Sequence, residues 1–173
     1  MDKTYRVISY EERFRDDMIF MVLEAKDALG LVPTLREDLL DVRRNYLDAG
    51  DGFWLAVAED RPGRERVVGC VGFRRIPGTN EAFLHRFFVK AQRKRQGIGT
   101  ALLRTAEEAL REAGIRIVRV HLGGDPEIWF ESRAFYRKHG FRDSEPRYME
   151  KELEGARSPE ALDKAGKNVY NNP

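Results

Sequence analysis

Between residues 82 and 122 the spacing of apolar residues changes twice, and this restricts the topology more than any other feature of the chain. Ala82-Phe83-Leu84-His85-Arg86-Phe87-Phe88-Val89 reads as a β-rich run. From 97 to 113 the positions Ile98, Ala101, Leu102, Thr105, Ala109 and Leu110 return every three or four residues, the pattern of a helix, and Gly114 ends it. Residues 115–122 then alternate like a strand. A strand, a helix and a strand in that order form a crossover unit, so 83–89 and 117–122 are predicted to lie parallel in one sheet.

The rest of the chain is built around that unit. Residues 53–58 and 67–73 have period 2 and are split by Asp60-Arg61-Pro62-Gly63, which predicts a hairpin; Pro77-Gly78-Thr79-Asn80 turns the chain into 82–89 as a third strand. Residues 5–10 form a short β-branched segment. A helix over 11–29 follows, with Phe14, Met18, Met21, Val22, Ala25 and Leu29 on one face and Gly30 as its stop. A second helix is predicted over 34–47, where Thr34 can cap, Glu37 lies three residues on, and Leu35, Leu39, Val42 and Tyr46 share a stripe. The last helix is predicted over 127–138, ended by His139-Gly140, with 141–153 as a strand or hairpin. No repeat or linker divides residues 1–153, which read as one α+β domain; 154–173 reads as a loosely held tail, partly helical near 159–167.

Composition excludes several classes. The chain has 173 residues, 42% hydrophobic and 35% charged, with a net charge of only +2, so neither a disordered nor a collagen-like chain fits. No apolar run approaches the roughly 18 residues of a membrane span, and the first residues lack a secretory pattern, which predicts a cytoplasmic address and no membrane partner. Cys70 stands alone in an apolar run and reads as a small buried filler. No His/Cys/Asp cluster has metal-ligand spacing, so no metal is expected.

The chemistry is concentrated in Lys90-Ala91-Gln92-Arg93-Lys94-Arg95-Gln96-Gly97-Ile98-Gly99-Thr100, between the end of a strand and the start of a helix. A helix start leaves backbone N–H groups without partners and carries about half a positive charge, so it favours an anion. Without a Cβ at Gly97 and Gly99, phosphate oxygens can come close to the backbone, and the basic residues attract a polyanion from a distance. The string of a P-loop is missing, and the third glycine of a dinucleotide fingerprint is replaced by Leu102.

These residues, with Ser132-Arg133-Ala134-Phe135-Tyr136-Arg137-Lys138-His139-Gly140-Phe141 some forty positions later, resemble the GCN5-related N-acetyltransferase (GNAT) family. The first string is similar to its pyrophosphate signature, Gln/Arg-x-x-Gly-x-Gly/Ala, with Lys94 where the family has Gln or Arg. The resemblance implies a GNAT-like mixed, mostly antiparallel central sheet with a parallel βαβ unit, flanked by about four helices. It also implies acetyl-CoA as acyl donor and a primary amine of a small molecule or protein as acceptor. Phe87, Phe88 and Val89 are then expected to contact the pantetheine arm, in a gap where the two parallel strands splay apart. Lys94, Arg95, Gln96, Gly97, Ile98, Gly99 and Thr100 are expected at the pyrophosphate.

The resemblance implies Tyr136 as the acid for the departing thiolate, because the Tyr of the family's Phe-Tyr pair often lies near the thioester sulfur. A phenol with a pKa near 10 can donate to a developing negative charge; the alternative is a buried aromatic on an amphipathic helix. A backbone N–H of Val89 or a neighbour would polarise the carbonyl. The base is open. The family's usual Glu falls on Phe83 here, which leaves Glu81, His85 and His121, or water; Glu81, Phe83 and His85 share strand parity and one face. The family's Asn, seven residues before the Tyr, falls on Trp129, so either Ser132 or the turn residues Asp125 and Glu127 substitute for it or that contact is missing. By the resemblance, the first two helices with the loop between them, 28–39, and the C-terminal strands are expected to meet the acceptor, and the acids Asp27, Glu37, Asp38 and Asp41 either attract an amine or form a solvated face. Two rivals stand beside this reading: a non-catalytic acyl-CoA sensor of the same fold, and a nucleic-acid-binding module, against which the balanced charge argues. The resemblance also leaves homodimerisation open, through the C-terminal strands.

Overall fold

The computed structural model describes residues 4–160 and 162. Seven strands, β1 (Arg6–Ser9), β2 (Gly52–Arg61), β3 (Arg64–Arg75), β4 (Glu81–Val89), β5 (Ile117–His121), β6 (Arg142–Glu145) and β7 (Tyr148–Glu152), make one sheet in the order β1-β2-β3-β4-β5-β7-β6. The longer helices are α1 (Arg15–Ala28), α2 (Ile98–Glu112) and α3 (Phe130–Lys138). Every neighbouring pair of strands is antiparallel except β4 with β5, the pair joined through α2.

The sheet has a core on each face. On one, Leu102, Leu103, Ala106 and Leu110 of α2 pack over Val71, Phe73, Ala82, Leu84, Val118 and Val120, with Tyr136 of α3 at the edge. On the other, Met18, Met21 and Val22 of α1 pack with Leu39, Val42 and Tyr46 over Phe53, Leu55 and Cys70. Glu107 of α2 is buried but accepts from Lys151 Nζ at 2.8 Å, which ties α2 to β7.

The helix predicted over 34–47 is not continuous. A 3-10 turn covers Glu37–Leu40 and a π turn Arg43–Leu47, with Asp41 non-helical between them. Thr34 makes no cap; its hydroxyl donates to Val32 O, and its carbonyl accepts from Lys26 Nζ at 2.9 Å. The apolar stripe still works in part, because Leu39, Val42 and Tyr46 are buried, whereas Leu35 is exposed. Tertiary contacts with the sheet override the helix pattern here. The predicted tail lies largely outside the described residues; within them, Arg157 N–H donates to Arg111 O at 2.9 Å.

Two features of β4 prepare the site. First, its parallel pairing with β5 lasts only from Glu81↔Ile117 to Phe83↔Arg119, after which β4 stays with β3 and β5 with β7, and a gap opens between them. Second, the β3 pairing slips between Cys70 and Gly72, a bulge at which Arg86 takes a left-handed conformation with φ 52°. The slip reverses the alternation. Ala82 and Leu84 face α2, and so do Phe87 and Val89, while Phe88 turns to the α1 side.

Candidate active site

The loop after β4 begins with a 3-10 turn, Ala91–Arg93, and ends at the start of α2. Arg95 and Gly97 are both left-handed, at φ 62° and 83°, and no side chain caps α2. Alternating handedness of this kind turns successive N–H groups into one concavity. The backbone N–H groups of residues 95–100 find no acceptor among the described residues. Six free donors at a helix start form an anion cradle.

The side chains around it are partly committed. Arg93 donates to Gln96 Oε1 at 2.9 Å and to Thr4 Oγ1 at 3.1 Å, and Lys94 pairs with Glu131 of α3 at 3.0 Å. Arg95 is exposed. Ile98 is buried, so it anchors the helix in the core and only its backbone faces the cradle. A Cβ on Gly99 would lie 3.3 Å from the Phe135 ring, so this glycine lets α2 and α3 approach each other. Thr100 bonds His139 Nε2 at 3.0 Å, while His139 Nδ1 lies 2.8 Å from Phe135 O. A carbonyl only accepts, so Nδ1 carries the proton, and in the neutral ring Nε2 accepts from the Thr100 hydroxyl.

At the gap, Lys90 N–H donates back to Val68 O at 2.8 Å. Polar backbone groups alternate sides along an extended strand, so those of Val89 and Phe87 face the gap. On the α3 side the Phe87 ring stands edge-on to Phe135 and Tyr136, at 5.7 and 6.2 Å between centroids. Tyr136 is 7% exposed and burial raises its pKa, so it remains a phenol at neutral pH. Its hydroxyl makes no hydrogen bond among the described residues, although it is not sealed from the surface.

The candidate bases emerge on the opposite face. Glu81 is gripped by two nitrogens of Arg119, at 3.1 and 3.2 Å, and Arg119 also holds Glu150 at 2.5 Å. It therefore sits in an ion triad where β4 and β5 are still paired. His85 lies beyond the last pair, with its ring 6.3 Å from Tyr46. Burial, helped by Arg74 and Arg86, pushes its pKa down to about 4. His121 ends β5 across the gap, exposed and 4.9 Å from the Tyr148 ring, which also neighbours Phe83 at 6.2 Å.

Of the four acids considered for the acceptor, Asp27, Glu37 and Asp41 are solvated. Asp38 is not. It accepts both Arg86 Nε and Nη2, at 2.9 and 2.8 Å, and the Tyr46 hydroxyl at 2.6 Å. Trp129 immediately precedes α3 and packs against Gly123, where a Cβ would meet its Nε1. Asp125 shapes the preceding turn by accepting from Glu127 N–H at 2.9 Å. The Arg86 bulge escaped sequence reasoning, yet a signal exists: the apolar run Ala82, Leu84, Phe87, Val89 skips one step of its alternation.

Residues 13–141 match the family model of the Acetyltransferase (GNAT) family. The chain belongs to the GNAT acetyltransferase family. Human N-acetyltransferase 8 is 35% identical over 114 residues, covering 63% of this chain and 47% of that protein. An uncharacterized N-acetyltransferase of Methanocaldococcus jannaschii is 30% identical over 95 residues, 55% of this chain and 41% of its own length. The chain thus matches less than half the length of these GNAT relatives. Among solved GNAT structures, an acetyltransferase from Staphylococcus aureus superposes with TM-score 0.74 at 21% identity, over 87% of this chain and 99% of its own. The PaiA N-acetyltransferase of Thermoplasma acidophilum, solved in complex with coenzyme A, gives 0.63 at 20%, over 86% and 98%. The mixed sheet with one parallel pair is the GNAT fold.

Proposed function

We propose that this protein transfers an acetyl group from acetyl-CoA directly to a primary amine. One observation carries the reading: six N–H groups at residues 95–100, without an acceptor among the described residues, stand at the end of a strand that parts from its parallel neighbour, with a buried phenol, likewise without a partner among them, beside the gap. The donor set suits a coenzyme A diphosphate, because amides at a helix start hold phosphate oxygens without a metal. Arg95 and Lys90 add positive potential beside the cradle. When bound, the cofactor supplies an acyl group already activated as a thioester.

The chain's own residues do the rest. The N–H of Val89 or Phe87, directed into the gap, is placed to donate to the acyl carbonyl oxygen as charge grows there. Tyr136 Oη holds its proton until a departing sulfur needs it, and a pKa raised by burial guarantees that the proton is present. The amine approaches from the α1 face, where His85 and His121 line the two sides of the opening. His121, exposed to solvent, can pass the amine's proton on, whereas a pKa pushed down to about 4 makes His85 a weak acceptor and Glu81 is occupied by Arg119.

The test is thiol release from acetyl-CoA with a panel of polyamines, aminoglycosides, amino acids and lysine peptides. Wild-type protein is expected to release CoA with one class, and Tyr136→Phe to lower kcat about 100-fold with cofactor affinity unchanged. Cofactor binding with no release from any amine would leave the sensor reading in its place.

A further inference from the structure

Arg86 combines three features that are unfavourable separately. It is a non-glycine residue in the left-handed region, at the one point where β4 slips against β3. Its side chain is 27% exposed, and that of its partner Asp38 14%. Together they compensate one another. Asp38 takes both forked N–H groups of Arg86, at 2.9 and 2.8 Å, and the hydroxyl of the fully buried Tyr46 at 2.6 Å. The carbonyl of Arg86, which the slip removes from regular pairing, accepts from the buried Cys70 thiol at 3.0 Å. Cys70 therefore does more than fill space.

The position of this clamp matters more than its strength. Asp38 and Tyr46 belong to the irregular segment 37–47 on the α1 face, and Arg86 is the residue whose turned backbone sends the Phe87 and Val89 side chains to the α2 face and their amides to the gap. A displacement of the segment must be felt at the bulge, because the bidentate pair tolerates little change of angle. Arg74 stands over the Tyr46 ring at 4.7 Å and bonds Asn45 O at 3.4 Å, which braces the segment from β3.

We infer that Arg86 is a positioning residue: held by Asp38 and Tyr46, it registers the 37–47 segment on the acceptor side against the strand that carries the acyl group. The inference rests on the acyltransfer reading above. Arg86 does not touch the reacting atoms; it sets where the amine-side wall stands relative to the amides of Phe87 and Val89.

Arg86→Gly separates two contributions, since glycine keeps the bulge dihedral and deletes the clamp. Asp38→Asn breaks the clamp while preserving shape. Both are expected to raise the KM of the best amine of the panel about 10-fold, to leave the calorimetric Kd of CoA within about 2-fold, and to be non-additive when combined. Amide hydrogen exchange over 37–47 is expected to quicken in Asp38→Asn, and it can be read without turnover even if Arg86→Gly fails to fold. Unchanged KM and exchange, additive effects, or amine KM and CoA Kd rising together would overturn the inference. Wild-type protein that binds CoA but turns over no amine would instead overturn the parent reading, and this one with it.

Discussion

His85 shows how one residue's surroundings decide its chemistry. Burial and the guanidiniums of Arg74 and Arg86 hold its pKa down to about 4, against about 6.5 in an unfolded chain. Between those two values the unfolded chain takes up a proton that the folded chain refuses, so stability is complete above pH about 6.5 and falls as the pH is lowered toward 4. Urea melts at pH 7 and pH 5 are expected to show this loss, and His85→Gln to reduce it. Neighbouring charges that remain, Asp38 and Asp51, oppose the effect without cancelling it. From sequence, the residue was legible only as a candidate base sharing a face with Glu81. That Glu81 is engaged by Arg119, a residue 38 positions away, is a property of the strand pairing and could not be read locally.

At the scale of elements, one carboxylate adds a polar tie to the apolar packing of α1 on β3. Asp17 Oδ2 accepts from Val67 N–H at 2.7 Å and its Oδ1 from Arg66 Nε at 3.0 Å, next to a slip in the β2–β3 register at Ala56/Val57. Truncation leaves a backbone donor unpaired, so Asp17→Ala is expected to cost about 1–3 kcal/mol. For a chain of this length each kcal/mol lowers Tm by about 2–4 °C, measurable by calorimetry. Asp17→Asn keeps an acceptor for Val67 and is expected to lose less. Here too the helix itself was legible, since Met18, Met21, Val22 and Ala25 repeat at helical spacing and are buried. The 34–47 stripe has the same periodicity but forms two short turns, because contacts with Phe53 and Arg86 fix Tyr46 and Asp38 more strongly than helix propensity does.

For the molecule as a whole, ligand binding and stability are one equilibrium. A ligand that binds only the folded chain stabilises it by about 2.7 kcal/mol at 100 times its Kd. Acetyl-CoA is therefore expected to raise Tm, and Gly97→Val, which forces a β-branched residue to φ 83°, to lower Tm without ligand and to remove the rise. A rise that survives in Gly97→Val would place the cofactor elsewhere. The chain alone determined the hairpins, the crossover unit, the buried stripes and the glycine loop at a helix start, because these depend on periodicity and on residues within a few positions of each other. Only the tertiary structure decided where β4 parts from β5, that Arg86 is turned over, and that Asp38 is clamped to it instead of waiting for an amine. Those depend on pairings 16 to 48 residues apart, and their registry is set by packing of the whole sheet.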